Sequence, residues 1–295
     1  MRRIDFRMRR NFLSWLGRSA LGATLGGGVL TAARAQAPAR KPVRTLTVGI
    51  VPQQSASELA RVWIPVLGAL SERAGLSLRF ATAPDIPAFE KRLAAGAYDV
   101  AYMNPYHYSV FAQKPGYVAF AKEKGRRLRG LVVVRKDSMI KDMKELAGQQ
   151  IAFPAPAAFA ATVLVRAEFE RMGVPITPVF VKSHESVYLN VAQRQIEAGG
   201  GIVRTLQTMD APVRDELRVL WQTKDYTPHA FAAHPRVPAA DLQALRAAML
   251  TADSDPRMRS VLEGIGFKGF DVAQDAEWND VRALGISTLA ALLKE

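Results

Sequence analysis

The feature that most narrows the fold of this chain is its alternation of short apolar strand-type runs with helical segments. Residues 45–51 place Leu46, Val48 and Ile50 on one face, the two-residue period of a strand. Ser55-Ala-Ser-Glu58 then reads as a capping box, and Leu59, Val62, Trp63, Val66, Leu67 and Leu70 recur at helical spacing as far as Gly75. Pro65 inside that helix predicts a kink. The same rhythm predicts strands at 76–81, 99–103, 117–121, 128–135, 150–153, 178–181, 201–203, 217–221 and 229–233. Helices are expected around Phe89 and Leu93, from Asn104-Pro105, and at 142–147, 159–172 and 185–193. The tail reads as helical, at 239–250, at 256–262 and from about 276 to 292. Strands separated by helices pair in parallel through crossovers, so the pattern predicts an α/β fold with mostly parallel sheets.

The pattern also divides into two lobes with a ligand cleft between them. Val132-Val133-Val134 and Phe231-Ala232-Ala233 are read as the strands that cross between lobes. Residues 45–131 and 227–295 would then form lobe 1, and 132–226 lobe 2.

Several chemistries are excluded by composition. The chain has no cysteine, which removes disulfides, thiol catalysis, Cys-ligated metals and a lipid anchor on an N-terminal cysteine. It has no His-Glu-x-x-His, Gly-x-Ser-x-Gly or Gly-x-Gly-x-x-Gly pattern, so neither an enzyme nor a bound metal or cofactor is expected. No apolar run reaches the roughly 18 residues of a membrane span. The net charge of +13 raises the question of nucleic acid. Seven arginines and one acid in residues 1–35 account for +6 of it, and the rest of the chain mixes both signs. A mildly basic body suits a small anion, and no helix-turn-helix or aromatic-basic stripe supports a nucleic-acid partner.

Residues 1–35 read as an export signal. Met8-Arg9-Arg10-Asn11-Phe12-Leu13-Ser14 resembles a twin-arginine motif, a Gly-rich weakly apolar stretch follows, and Ala33-Arg34-Ala35 offers small residues to a peptidase. Residues 36–44 read as a Pro/Ala tether. The expected location is the periplasm.

Taken together, several segments resemble the phosphate/phosphite/phosphonate-binding subgroup of periplasmic solute-binding proteins. They are Val48-Gly-Ile-Val-Pro-Gln-Gln54, Trp63-Ile-Pro65, Tyr98-Asp-Val-Ala-Tyr-Met-Asn-Pro105, Leu146-Ala-Gly148 before Ile151-Ala-Phe-Pro154, and His184-Glu-Ser-Val-Tyr188. The resemblance spans residues 46–262. It implies a two-lobed type II binding-protein fold that closes, as a monomer, on a small oxyanion and delivers it to an ABC permease. The alternatives are a ligand-sensing subunit for a membrane histidine kinase and, after it, an exported enzyme on the same fold.

An oxyanion held without metal needs many neutral donors, and helix N-termini beyond strand ends supply them. Four such turns supply the candidate site. The first holds Gln53, Gln54 and Ser55, where Ser55 serves as helix cap, ligand donor or both. The second holds Tyr106, which matches an aromatic ligand contact of the resembled family; His107 beside it reads as a surface histidine. The third holds Ala157 and Ala158, whose amides stand where relatives carry a Ser/Thr-rich turn. Phe159 there is a wall for an apolar substituent or simple packing. The fourth holds His184, which matches a ligand-contacting histidine. The run Gly199-Gly200-Gly201 permits close backbone approach, and Arg204 after it stands where the family often has an acid that pairs with a ligand amine. His229 and His234 are read as structural hinge residues.

Overall fold

A computed structural model describes residues 43–293; the expected export signal and most of the tether lie outside them. The first half of the chain builds β1 (Thr45–Ile50), α1 (Ala56–Ala74), β2 (Ser77–Ala81), α2 (Ile86–Ala94), β3 (Val100–Met103), α3 (Pro105–Phe111) and β4 (Val118–Glu123). Local chemistry explains the boundaries. Ser55 caps α1 by accepting the Glu58 N–H, and Gly75 ends it in the left-handed conformation. Leu59, Trp63, Val66, Leu67 and Leu70 form its buried stripe, and the helix runs on through Pro65. Asn104 caps α3 by accepting the His107 N–H, with Pro105 at the first helical position.

The chain then forms β5 (Gly130–Arg135), β6 (Gln150–Phe153), α4 (Leu164–Arg171), β7 (Thr177–Phe180), α5 (His184–Ala192), β8 (Ala198–Ile202), α6 (Val203–Thr208), α7 (Ala211–Arg214) and β9 (Leu217–Gln222). It returns through β10 (Ala230–Ala233), α8 (Ala239–Leu250), α9 (Pro256–Glu263), β11 (Phe270–Val272) and α10 (Asn279–Arg282).

Two mixed sheets result, in the orders β11-β4-β10-β3-β1-β2 and β7-β6-β8-β5-β9. Each has a parallel trio, β2-β1-β3 and β7-β6-β8, where helices provide the crossovers. Antiparallel strands complete both. Val132–Val134 and Phe231–Ala233, expected to cross between lobes, are instead interior to one sheet each. The chain passes between sheets at 124–129 and 223–229, where Leu128 and Tyr226 exchange backbone hydrogen bonds of 2.8 and 2.9 Å. The expected last helix is also corrected. Residues 270–272 pair with β4, a 3₁₀ turn and the short α10 follow, and Gly285 at φ +63° interrupts the remainder.

The second sheet is covered on both faces. Val132 and Val134 face Ile151, Phe153, Val165 and Phe169, while Leu131 and Val133 face Tyr188, Val191 and Met209. The glycine run lies inside it. A Cβ on Gly200 would strike the Ala161 carbonyl oxygen and the Phe153 ring, and one on Gly201 would strike the Tyr188 hydroxyl. The run therefore admits the protein's own backbone, the close approach that its glycines suggested. It lets the segment 155–161 lie down on the sheet. That segment joins the apolar core of the first sheet, so the space between the sheets is mostly dry.

Candidate functional site

The turn after β1 reaches across to the second sheet. The Gln53 carbonyl oxygen accepts from the backbone N–H groups of His184 (3.1 Å) and Glu185 (3.3 Å), the first two residues of α5. Ser183 caps this helix by accepting the Ser186 N–H at 3.0 Å. The free amides of the α5 N-terminus thus converge on an oxygen, the chemistry an oxyanion would use. Ser55 N–H donates to the Glu185 carboxylate at 2.8 Å, a second bond between the same elements.

Gln53, His184 and His229 wall a small cavity together with Asn104, Ala158, Phe159 and Ile202. Its volume of about 10 Å³ holds no more than one water. Gln53 Nε2 donates to His229 Nε2 at 2.8 Å, which leaves the imidazole proton of His229 on Nδ1. The Tyr102 ring stacks on His229, with centroids 5.1 Å apart. His184 and His229 are only 4% and 3% exposed. Burial pushes the His184 imidazole down to about 3. Burial likewise holds His229 well below its ordinary value, with the nearby Arg204 charge adding to the effect. Both rings are neutral at pH 7. His184 Nδ1 and Thr162 Oγ1 are buried without a hydrogen-bond partner. A bound acceptor or donor would relieve such groups.

Asn104 adds a further link between the sheets, donating from Nδ2 to the Ala157 carbonyl at 3.3 Å. Its orientation is fixed because its Oδ1 accepts the His107 N–H at 2.7 Å. His107 is 0% exposed and its Nε2 lies 2.9 Å from Glu90 Oε1, which corrects its reading as a surface residue.

The structure thus brings together Gln53, His184 and the alanine turn, and it separates other expected site residues. Ala157 and Ala158 are buried, but the Ala158 N–H is engaged by Ala155 oxygen at 3.2 Å. Gln54 lines a neighbouring cavity of about 70 Å³ beside Gln53, Tyr102 and Arg204. The Ser55 side chain is exposed and serves as the α1 cap, so only its amide faces α5. Tyr106 points away from the cleft: its hydroxyl accepts the Leu289 N–H at 2.9 Å, under the C-terminal segment. Arg204 is paired with Glu123 and lies 4.5 Å over the Phe267 ring, so its charge is already neutralised. His229 is the residue that sequence reasoning placed at the hinge without giving it to the site. Its one signal is a polar residue just before the apolar run of β10. Among the described residues no group of three or more His, Asp or Glu side chains could hold a metal ion.

Comparison with known proteins supplies the context for this geometry. The profile of the family described as "ABC transporter, phosphonate, periplasmic substrate-binding protein" matches residues 48–278. The phosphate-import protein PhnD of Mycolicibacterium smegmatis is 22% identical over 213 residues, covering 64% of this chain and 66% of that protein. The fold is similar to that of a binding-protein component of an ABC phosphonate transporter from Pseudomonas aeruginosa, with a TM-score of 0.75 and 17% identity over 82% of this chain and 86% of that one. PhnD1 of Prochlorococcus marinus, solved in complex with methylphosphonate, gives the same TM-score at 16% identity, covering 82% and 97%.

Proposed function

The chain belongs to the family of periplasmic substrate-binding proteins of phosphonate ABC transporters, and from that premise we propose that it captures a small phosphorus oxyanion between its two sheets and hands it to a permease. The observation that carries the proposal is the convergence of the α5 N-terminus, His184, His229 and Gln53 on one cavity between the sheets. Every group in that set is uncharged at neutral pH, so the anion is held by oriented neutral donors and by the helix dipole.

Opening the two lobes breaks the bonds from Gln53 to α5, from Ser55 to Glu185 and from Asn104 to Ala157. The same donors then receive ligand oxygens. The amides of His184 and Glu185 exchange the Gln53 oxygen for the oxyanion, and the unpartnered His184 Nδ1 gains a partner. Closure restores the Ser55–Glu185 and Asn104–Ala157 bonds and expels water. In this reading the expected lobes hold with their boundary moved to the crossings: residues 45–123 and 230–293 act as lobe 1 and 130–222 as lobe 2, Gly130 and Leu131 belonging to lobe 2 as part of β5, with the paired segments around Leu128 and Tyr226 as the hinge. The protein works as an exported monomer, carried by the twin-arginine signal of residues 1–35. A kinase-coupled sensor would use the same cleft; the family match supports import.

A thermal-shift screen of the purified protein against phosphate, phosphite and methylphosphonate tests the proposal. A ligand at one hundred times its Kd adds about 2.7 kcal/mol of stability. Absence of stabilisation by any of the three refutes it.

A further inference from the structure

Behind His229 the small cavity gives way to a much larger one. A pocket of about 490 Å³ is lined by Arg126, Arg127, Arg129 and Arg204, with Gln222 and Asp225. It adjoins the candidate site, with His229 and Leu128 as the shared wall. Backbone continuity joins them too, since Ile202 lines one and Val203 the other.

The arginines are held in place by acids that engage only part of each guanidinium. Arg126 Nε lies 3.0 Å from Glu123 Oε1 and Arg127 Nη2 lies 3.2 Å from Asp280 Oδ2, while Arg129 is forked onto both oxygens of Asp225 through Nε and Nη2, leaving only its Nη1 side unpaired there. Glu123 also carries Arg204, so four guanidinium groups share three carboxylates and one positive charge is left over. A guanidinium has five N–H donors, and these contacts leave each arginine with donors to spare. The inner cavity holds no more than one water until the lobes open, whereas the outer one is already large enough for an organic substituent.

Resting on the oxyanion reading above, we propose that the ligand is bipartite: a phosphorus oxyanion head at His184 and His229, joined to a second anionic group, such as a carboxylate, that lies in the arginine pocket. Fixed guanidinium groups match a carboxylate by paired hydrogen bonds, and an ammonium substituent would be repelled by the surplus positive charge. Asp225 is the internal competitor for that carboxylate. His229, between the two spaces, sets the distance at which the second charge must stand from the head.

The test compares binding of methylphosphonate, phosphonoacetate and 2-aminoethylphosphonate by calorimetry, in the parent protein and in R129Q and D225N. The readout is the ratio of phosphonoacetate affinity to methylphosphonate affinity. In the parent it should be roughly 1.5 to 5, the range of a partly exposed charge pair. It should fall toward one in R129Q and rise in D225N, while 2-aminoethylphosphonate binds more weakly than methylphosphonate. Arg129 and Asp225 are about half exposed, so both variants should fold, as circular dichroism would check. Methylphosphonate binding with no gain from the carboxylate, or a ratio unmoved in both variants, overturns the bipartite ligand and leaves the oxyanion site standing. Failure of all three probes to bind overturns the bipartite ligand, and the underlying oxyanion reading falls with it only if phosphate and phosphite also fail to bind.

Discussion

Replacing His184 by alanine separates a binding role from a structural one, because the two predict opposite balances of affinity and stability. In the free protein the imidazole is 4% exposed, neutral, and carries an Nδ1 without a partner. A buried unsatisfied polar atom costs the fold roughly 1–3 kcal/mol. The alanine variant removes that cost while losing the packing of a ring at the first position of α5, and these two effects offset each other. The net change in unfolding free energy should stay within about 1 kcal/mol, and the α5 cap at Ser183 is untouched. Binding should behave differently. A hydrogen bond to a charged ligand contributes about 1.5–3 kcal/mol, so affinity should fall by roughly tenfold to more than a hundredfold. Calorimetric titration with methylphosphonate gives the affinity, and urea unfolding without ligand gives the stability. A variant that binds as tightly as the parent, or one that loses several kcal/mol of stability at unchanged affinity, refutes the assignment of His184 to the ligand.

Other outcomes follow from the same geometry. Tyr106→Phe should leave affinity unchanged and destabilise the fold by roughly 1–3 kcal/mol, since it strands the buried Leu289 N–H; a tenfold affinity loss would return Tyr106 to the cleft. Gly200→Ala should cost at least about 1–3 kcal/mol of stability, measured by urea unfolding, because its Cβ meets the Ala161 carbonyl and the Phe153 ring. Acid should destabilise the ligand-free protein through its buried histidines. The folded state holds His184 near 3 and His229 well below 6.5, so the unfolded chain binds more protons in that window and stability drops as pH falls from about 6.5 toward 3. His184→Ala should flatten part of that slope in pH-dependent thermal melts, and an unaltered slope would contradict the burial argument.

Much of the fold was legible in local signals. The Ser55 and Asn104 caps, Gly75 and the alternating apolar runs marked elements whose causes lie within a few residues of each other. Elements set by distant partners were not. The strand at 270–272 exists because it pairs with β4, about 150 residues earlier, and nothing in its own short run distinguishes it from a loop. The candidate site divides the same way. Gln53 and His184 were visible because each follows a strand and opens a helix. His229 was not placed there, because its membership comes from the hinge segment folding back onto the β1 turn. Tyr106 was misplaced because its hydroxyl answers to Leu289, 183 residues along the chain. The glycines of β8 signalled a close backbone approach, and the structure shows which backbone it is, that of residues 155–161 packed on the sheet.

The most direct test is a crystal structure of the protein with bound methylphosphonate. The account predicts the phosphonate between the two sheets, its oxygens about 2.7–3.2 Å from the His184 and Glu185 amides and from the His184 ring nitrogen Nδ1. A phosphonate bound outside the cavity walled by Gln53, His184 and His229 would contradict it.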